Sequence, residues 1–259
     1  MEEKFLRYLI LMVFAFLAEL IDGGLGMGYG VSLTTLLLSV GFTTALASAS
    51  VHISEVFTTL ISGISHFKAG NFDKKIFKYL VITGIFGGSL GAYVAVKLQE
   101  LTIIKPIVSG ILLIFGLIII IKYLKKRQET EYLQPRIRKL LPLGFFAAFI
   151  DAIGGGGWGP ITTPALIASN THPKKTIGSV NFAEFFITLA ISLTFLLTLK
   201  NINFKIIIPI IIGGIISAPF AAFITKKLNH RVLGFLVGLL IIMLSLRTIL
   251  ISLGIGFLF

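Results

Sequence analysis

The sequence contains no cysteine, and only 13% of its 259 residues are charged. Without cysteine there can be no disulfide bond, thiolate nucleophile or thiolate metal ligand. Soluble domains carry about twice this charged fraction, so the chain is not typical of a soluble protein. The G-x-S-x-G, H-E-x-x-H and Walker lysine motifs are also missing. We therefore expect no enzymatic activity, no cofactor and no metal centre.

Apolar residues are abundant instead. They make up 56% of the chain, and the mean hydropathy is +0.98. Several segments run for about 18 residues with almost no charge, which is long enough to cross a bilayer core of about 30 Å. The first residues lead into such a segment without a small-residue cleavage site, so we interpret it as a retained helix. The composition predicts an all-α polytopic membrane protein.

The net charge of +12 comes from basic residues in short loops, around positions 68–78 and 122–139. Loops of this kind are typical of the cytoplasmic side of a membrane protein. A nucleic-acid-binding protein would instead carry a basic folded face with interspersed aromatic residues. We therefore expect the bilayer, and not nucleic acid, as the macromolecular partner.

A glycine-rich segment occurs twice. Residues 22–30 read DGGLGMGYG, and 129 positions later residues 151–159 read DAIGGGGWG. In the same register Ser50 aligns with Ser179, and Glu55 aligns with Glu184. Paired, glycine-interrupted apolar segments mark the binding site of many transporters. The sequence predicts two homologous transmembrane repeats, 1–123 and 140–259, joined by a cytoplasmic linker, 124–139.

Each repeat contains one helix that is too short to span the membrane. The predicted helices are 5–21, 29–40, 44–67, 76–96, 103–123, 140–153, 160–168, 176–199, 206–225 and 232–250. If each short helix returns to the side from which its predecessor came, the repeats are inverted; otherwise they are parallel. Loop charge does not decide between the two. We favour inversion because the tail after Arg247 is uncharged and because inversion brings the glycine breaks together.

The glycines predict a site for an anion. Glycine at alternate positions is unfavourable in a helix but allows positive φ and close approach to bare backbone. Such a loop running into a helix presents N–H groups and a partial positive charge. Tight helix packing and a cation site made by loop carbonyls are the alternatives. The candidate residues are Gly26, Gly28, Gly30, Gly155, Gly156, Gly157 and Gly159.

Polar residues follow the glycines in register. Glu55 and Glu184 lie within apolar helices and are either proton carriers or protonated caps of the helix breaks. Asp22 and Asp151 are expected to accept hydrogen bonds from loop N–H groups, with substrate contact or a proton relay as the alternative. The further candidate substrate contacts are Ser50, Ser179, His52 and Asn181, together with Tyr29 and Trp158, which either line the site or plug the loops. For His52, proton transfer and a hydrogen-bonded structural role are the alternatives.

Two pairings carry less functional weight in the sequence. Thr34 aligns with Thr163, and we expect each hydroxyl to bond within its own helix. Glu19 aligns with Ala148, so the repeat gives it no support as a site residue.

These motifs resemble the TauE/SafE sulfite exporter family. The resemblance lies in Asp22-Gly-Gly-Leu-Gly-x-Gly-x-Gly followed by Ala47-Ser-Ala-Ser50, and in the second copy with its Gly178-Ser-Val-Asn181 segment. It implies a permease of the prokaryotic inner membrane for a sulfur oxyanion such as sulfite, or for a short organosulfonate, usually working outward. We expect transport by alternating access, with the site between the two glycine loops. The His52/Asn181 and Tyr29/Trp158 differences imply that the two half-sites are not equivalent.

Three other functions remain open. A passive anion channel would use the same loops, and a metal-cation transporter would use the four acidic residues Asp22, Glu55, Asp151 and Glu184. An intramembrane enzyme or scaffold is the third, although no motif favours it.

Overall fold

The structure is a computed structural model that describes residues 2–99, 101, 103–124, 132–169, 171–200, 202–224 and 230–255. Within these ranges it is entirely helical. The helices are α1 (Glu2–Leu25), α2 (Tyr29–Ser39), α3 (Thr44–Lys68), α4 (Lys74–Leu98), α5 (Ile104–Leu124), α6 (Ile137–Gly154), α7 (Trp158–Ala168), α8 (Pro173–Thr198), α9 (Phe204–Ile224) and α10 (His230–Ser252).

The predicted helix boundaries differ from those of the structure by up to four residues, and two of the differences lie at the glycine segments. α1 continues beyond residue 21 to Leu25. Glycine within this helix is explained by packing, because a side chain at Gly23 would not fit: an added Cβ would lie 2.5 Å from the Cβ of Ala221. α7 begins at Trp158 instead of Pro160. Proline is tolerated in a first helical turn because no intrahelical partner for its missing N–H exists there, so Pro160 does not have to be the first residue.

The longest interhelical contacts join elements that are far apart in sequence. α1 packs along α9, α4 along α6, α5 along α10, and α3 along α8. α3 also packs on α9, and α8 on α4. The N-terminal and C-terminal parts of the chain therefore interlock, with α3 and α8 at the centre. The short helices α2 and α7 are held against this centre.

The described surface is suited to lipid. Four described helical segments are long and apolar enough to cross a membrane: Thr44–Lys68, Lys74–Leu98, Pro173–Thr198 and Phe204–Ala221. Large apolar side chains such as Phe86, Phe146 and Leu193 are exposed on the outer faces of α4, α6 and α8. An exposed apolar surface of this extent is normal only against lipid or another protein.

Candidate functional site

The two glycine segments end their helices in the same way. Gly26 has φ 66° and Gly155 has φ 72°, in the left-handed region that glycine adopts without a steric cost. The N–H of Gly26 donates to the Asp22 carbonyl at 2.6 Å, and the N–H of Gly155 donates to the Asp151 carbonyl at 2.6 Å. Each turn stops one helix and allows the next to start a few residues later.

The expected contacts between the aspartates and the loop N–H groups are present. Asp22 Oδ1 accepts from the N–H of Tyr29 at 3.1 Å, and Asp151 Oδ1 accepts from the N–H of Gly157 at 2.6 Å. These N–H groups lie at the N-terminal ends of α2 and α7, where a helix has no internal acceptors for them. A carboxylate at that point is also favoured by the helix dipole.

The two threonines of the repeat bond across the molecule. Thr34 Oγ1 donates to the Gly155 carbonyl, and Thr163 Oγ1 donates to the Gly26 carbonyl at 2.9 Å. The expectation that these hydroxyls bond within their own helices was therefore wrong. Each loop carbonyl is turned outward by a left-handed glycine, which leaves it open to a donor from the opposite short helix. The two glycine loops are thus fastened to each other.

The loops approach so closely that only glycine fits between them. A Cβ on Gly30 would lie 2.8 Å from Glu55 Oε1 and 2.9 Å from the Cα of Gly156. A Cβ on Gly159 would lie 2.8 Å from the Gly26 carbonyl oxygen. The N-terminal ends of α2 and α7 consequently meet at one point, with bare backbone and the Glu55 carboxyl beside them.

His52 connects α3 to the second glycine segment. Its Nε2 lies 3.0 Å from Asp151 Oδ2, and its Nδ1 lies 2.8 Å from the Ser48 carbonyl. The Ser48 hydroxyl donates to the Ala152 carbonyl at 2.6 Å. The sequence reasoning missed Ser48, whose aligned residue is Ile177, although its spacing of four from His52 places both on one helix face.

Five buried acidic residues surround this point. Glu19, Asp22, Glu55, Asp151 and Glu184 are each at most 8% exposed. Glu55 Oε1 lies beside Gly30, Glu19 Oε1 lies near Gly23, and the two aspartates bond to the loops themselves. Glu19 was set aside in the sequence because it has no aligned partner, yet it lies in this cluster. Buried acids grouped within membrane helices usually have a functional role.

The other candidate residues take varied positions. Tyr29 and Trp158 are buried; the Tyr29 hydroxyl donates to Ser54 Oγ at 3.1 Å, and Trp158 Nε1 donates to the Val180 carbonyl at 3.2 Å. Asn181 Nδ2 donates to Ser62 Oγ at 3.2 Å. The Tyr29 hydroxyl therefore bonds to α3, and the Trp158 N–H bonds to α8.

The hydrogen bonds of Ser50 and Ser179 are to residues outside the glycine loops. The Ser50 hydroxyl donates to the Leu46 carbonyl in its own helix at 2.7 Å. Ser179 Oγ accepts from the Asp73 N–H at 2.7 Å, at the start of α4. Their assignment as substrate contacts stays a prediction.

The profile of the family described as Sulfite exporter TauE/SafE matches residues 11–248. The chain belongs to this family. It is also 43% identical, over 248 residues, to the probable membrane transporter protein YtnM of Bacillus subtilis strain 168. This match covers 92% of the chain and 82% of the relative. No solved structure matches the chain.

Family membership and the apolar helices together establish a multi-pass membrane transporter, and not an enzyme. The buried loops and acids are the natural candidates for its transport site, because non-helical backbone at membrane depth is found where it is buried in protein or lines a cavity. Among the residues that the structure describes, no cluster of three or more histidine or acidic side chains has the arrangement of a metal site.

Proposed function

We propose that this transporter is a secondary exporter of a small sulfur-containing anion, such as sulfite or a short organosulfonate, and that protons are coupled to the transport. The observation that carries the proposal is the meeting of the N-terminal ends of α2 and α7 on bare glycine backbone beside buried carboxyl groups. The family's description as sulfite exporters supports the choice of anion.

Backbone geometry supports an anion site. The N-terminus of a helix carries about half a positive charge, and its first N–H groups point away from the helix. Two such ends converge here, and Gly30, Gly156 and Gly159 leave no side chain between them. A small oxyanion needs several donors in a compact space. The N–H groups of Tyr29 and Gly157 already donate to Asp22 and Asp151, so the other first-turn N–H groups of α2 and α7 would hold it. The loop glycines named in the sequence analysis, Asn181 and His52 are the proposed contacts.

The acids support proton coupling. Glu55 lies beside the glycine contact, and Asp22 and Asp151 accept from N–H groups of the same loops. Glu184, which aligns with Glu55, is buried in α8. An anion cannot remain next to several ionised carboxylates in a poorly hydrated site, because like charges repel strongly there. Proton uptake by the cluster would remove this repulsion.

Helix positions support the proposed inverted repeat, 1–123 and 140–259. A shift of 129 places Tyr29 and Ser39, the ends of α2, on Trp158 and Ala168, the ends of α7. The same shift relates α1 to α6 and α4 to α9, so the packing of α1 on α9 corresponds to the packing of α6 on α4. Arg7, in α1, and Val40, just after α2, line one cavity, which fits a broken unit that returns to its starting side.

The second broken unit, which consists of α6 and α7, also has its two outer ends close together. The ring of Tyr132, before α6, lies 4.7 Å from the ring of His172, after α7. Residues 125–131 of the proposed cytoplasmic linker lie outside the described residues.

Flux from proteoliposomes tests the function. Sulfite, sulfate and short sulfonates are loaded inside, and efflux is measured with and without a pH gradient. We expect efflux of a sulfur anion that a pH gradient accelerates. Efflux of none of these anions would overturn the proposal, and efflux that is indifferent to the gradient and shows no counterflow would indicate a passive channel. Thermal stabilisation by divalent metals but by no sulfonate would indicate a metal-cation transporter.

A further inference from the structure

We infer that the transport site of this structure is reached from one side only, through a polar route formed by Ser62, His66 and Asn181. The aligned positions on the opposite side, Ile191 and Phe195, close it. The inference rests on the proposed transport site and adds to it the route and the residues that form it.

The route begins at the first glycine segment. His66 Nε2 lies 3.1 Å from the Gly23 carbonyl and donates to it, and Asn71 Nδ2 lies 3.4 Å from His66 Nδ1. Ser62, one turn before His66, accepts from Asn181 Nδ2 at 3.2 Å. α3, α8 and the end of α1 thus share a column of polar groups that leads from the glycine loop to the α3–α4 loop.

Two unpartnered acceptors lie along this column. Among the described residues, Glu19 Oε1 and Asn181 Oδ1 are buried without a hydrogen-bond partner. A Cβ on Gly23 would have Glu19 Oε1 at 3.6 Å and Ser62 Oγ at 3.7 Å, which places these groups together. Buried acceptors without partners are costly and are normally satisfied by water or a ligand.

The aligned positions on the other side are apolar. A shift of 129 places Ser62 on Ile191 and His66 on Phe195, and both of these side chains are fully buried. The Phe195 ring lies over His52, with 6.2 Å between ring centroids. Ile191 fills the space beside Gly88, where an added Cβ would meet its Cγ1 at 2.7 Å.

The closed side also contains a buried polar atom, Ser192 Oγ, which has no hydrogen-bond partner among the described residues. A serine hydroxyl in a helix can rotate to the carbonyl four residues earlier, whereas the amide oxygen of Asn181 can only accept and has no such alternative. Ser192 therefore does not make that side a polar route.

The route opens beside Lys68, Lys74 and Lys75, and basic loops mark the cytoplasmic side. The polar route therefore leads from the proposed site towards the cytoplasmic side.

Single cysteines test the route directly, because the chain has none of its own. Ser62→Cys and its aligned control Ile191→Cys are treated with a membrane-impermeant methanethiosulfonate in inside-out and right-side-out vesicles. We expect Ser62→Cys to react only from the cytoplasmic side, at least about tenfold faster than Ile191→Cys reacts from either side. Ile191→Cys reacting from outside as fast as Ser62→Cys does from inside would overturn the inference, as would a Ser62→Cys protein that reacts from neither side.

Exchange of the two aromatic positions provides the second arm. His66→Phe is expected to slow labelling of Ser62→Cys, and Phe195→His is expected to speed labelling of Ile191→Cys from outside. If Ser62→Cys does not fold, His66→Cys and its aligned control Phe195→Cys give the same comparison. Labelling needs no transport, so a correct labelling pattern without anion efflux would reject the proposed function and leave the route intact.

Discussion

The contact between the two glycine loops makes a sharp prediction at Gly156. An added Cβ there would lie 2.6 Å from the Cα of Val31, and its other near neighbours are also backbone atoms, the Val31 nitrogen and the Gly30 carbonyl carbon. Backbone cannot rotate away as a side chain end does. Ordinary contacts begin at 3.4 Å, and the Val31 nitrogen and the Gly30 carbonyl carbon lie closer than the Val31 Cα, so Gly156→Ala must separate the loops by more than roughly 0.8 Å.

The size of the effect follows from this overlap. Overpacking a close-packed interior typically costs about 1–3 kcal/mol, and a clash with backbone belongs at the upper end. Each kcal/mol lowers the melting temperature of a chain of this length by about 2–4 °C, so we expect a loss of roughly 6–12 °C. The separation also stretches the cross-loop threonine bonds.

Gly154→Ala is the matched control. Gly154 lies two residues earlier, at the end of α6, and no described atom beyond its chain neighbours and its own helix backbone lies within 4 Å of an added Cβ. Alanine there should leave stability unchanged or raise it by up to about 1 kcal/mol. Thermal unfolding of both variants in detergent, followed by tryptophan fluorescence, gives the comparison. Equal melting temperatures for the two variants would refute the close packing of the loops.

Three further substitutions probe the same centre. Thr163→Val removes the donor to the Gly26 carbonyl and should lower stability by about 1–2 kcal/mol, measured by thermal unfolding; no change would mean that the bond is unimportant. Glu55→Gln keeps the shape but cannot release a proton, so it should abolish the acceleration of efflux by a pH gradient while anion counterflow persists; gradient-driven efflux that survives would exclude Glu55 as a proton carrier. His52→Asn leaves the Asp151 carboxylate unpaired and should cost about 3–5 kcal/mol, with partial recovery when Asp151→Asn is added; a double variant less stable than the single one would contradict the pairing.

The sequence predicted the helices well because their signals are local. Uncharged apolar runs gave the long helices, and the start of α2 at Tyr29 was predicted correctly because the glycines before it break the chain. The predicted end of α1 was wrong because a glycine lowers the stability of an isolated helix. The neighbour that requires a glycine at position 23 is Ala221, which lies almost 200 residues away in the sequence. Packing of that kind has no local signal.

The site was only partly predictable for a related reason. Alignment of the two repeats selected residues that occur in both, which correctly drew attention to Asp22 and Asp151 as acceptors of loop N–H groups. The same rule passed over Ser48, Ser62 and Glu19, whose aligned residues are apolar. Residues that make two halves different cannot be found by asking what the halves share.

The charge of the site leads to a last prediction about proton linkage. With Asp151 paired to His52, four buried acids remain near the glycine loops: Glu19, Asp22, Glu55 and Glu184. Two unit charges about 8 Å apart interact by about 2 kcal/mol at an effective dielectric constant of about 20, so several ionised acids would oppose an anion by several kcal/mol.

Anion binding and proton uptake must therefore favour each other, and the linkage is reciprocal. Methanesulfonate, whose own charge does not change with pH, should bind more tightly as the pH falls from about 8 to about 5, the range in which protonation of carboxyl groups increases. Calorimetry in two buffers of different ionisation enthalpy should show protons taken up on binding. Equal affinity at both pH values, with no proton uptake, would mean that the bound anion does not feel these acids, and the glycine loops would then not be its binding site.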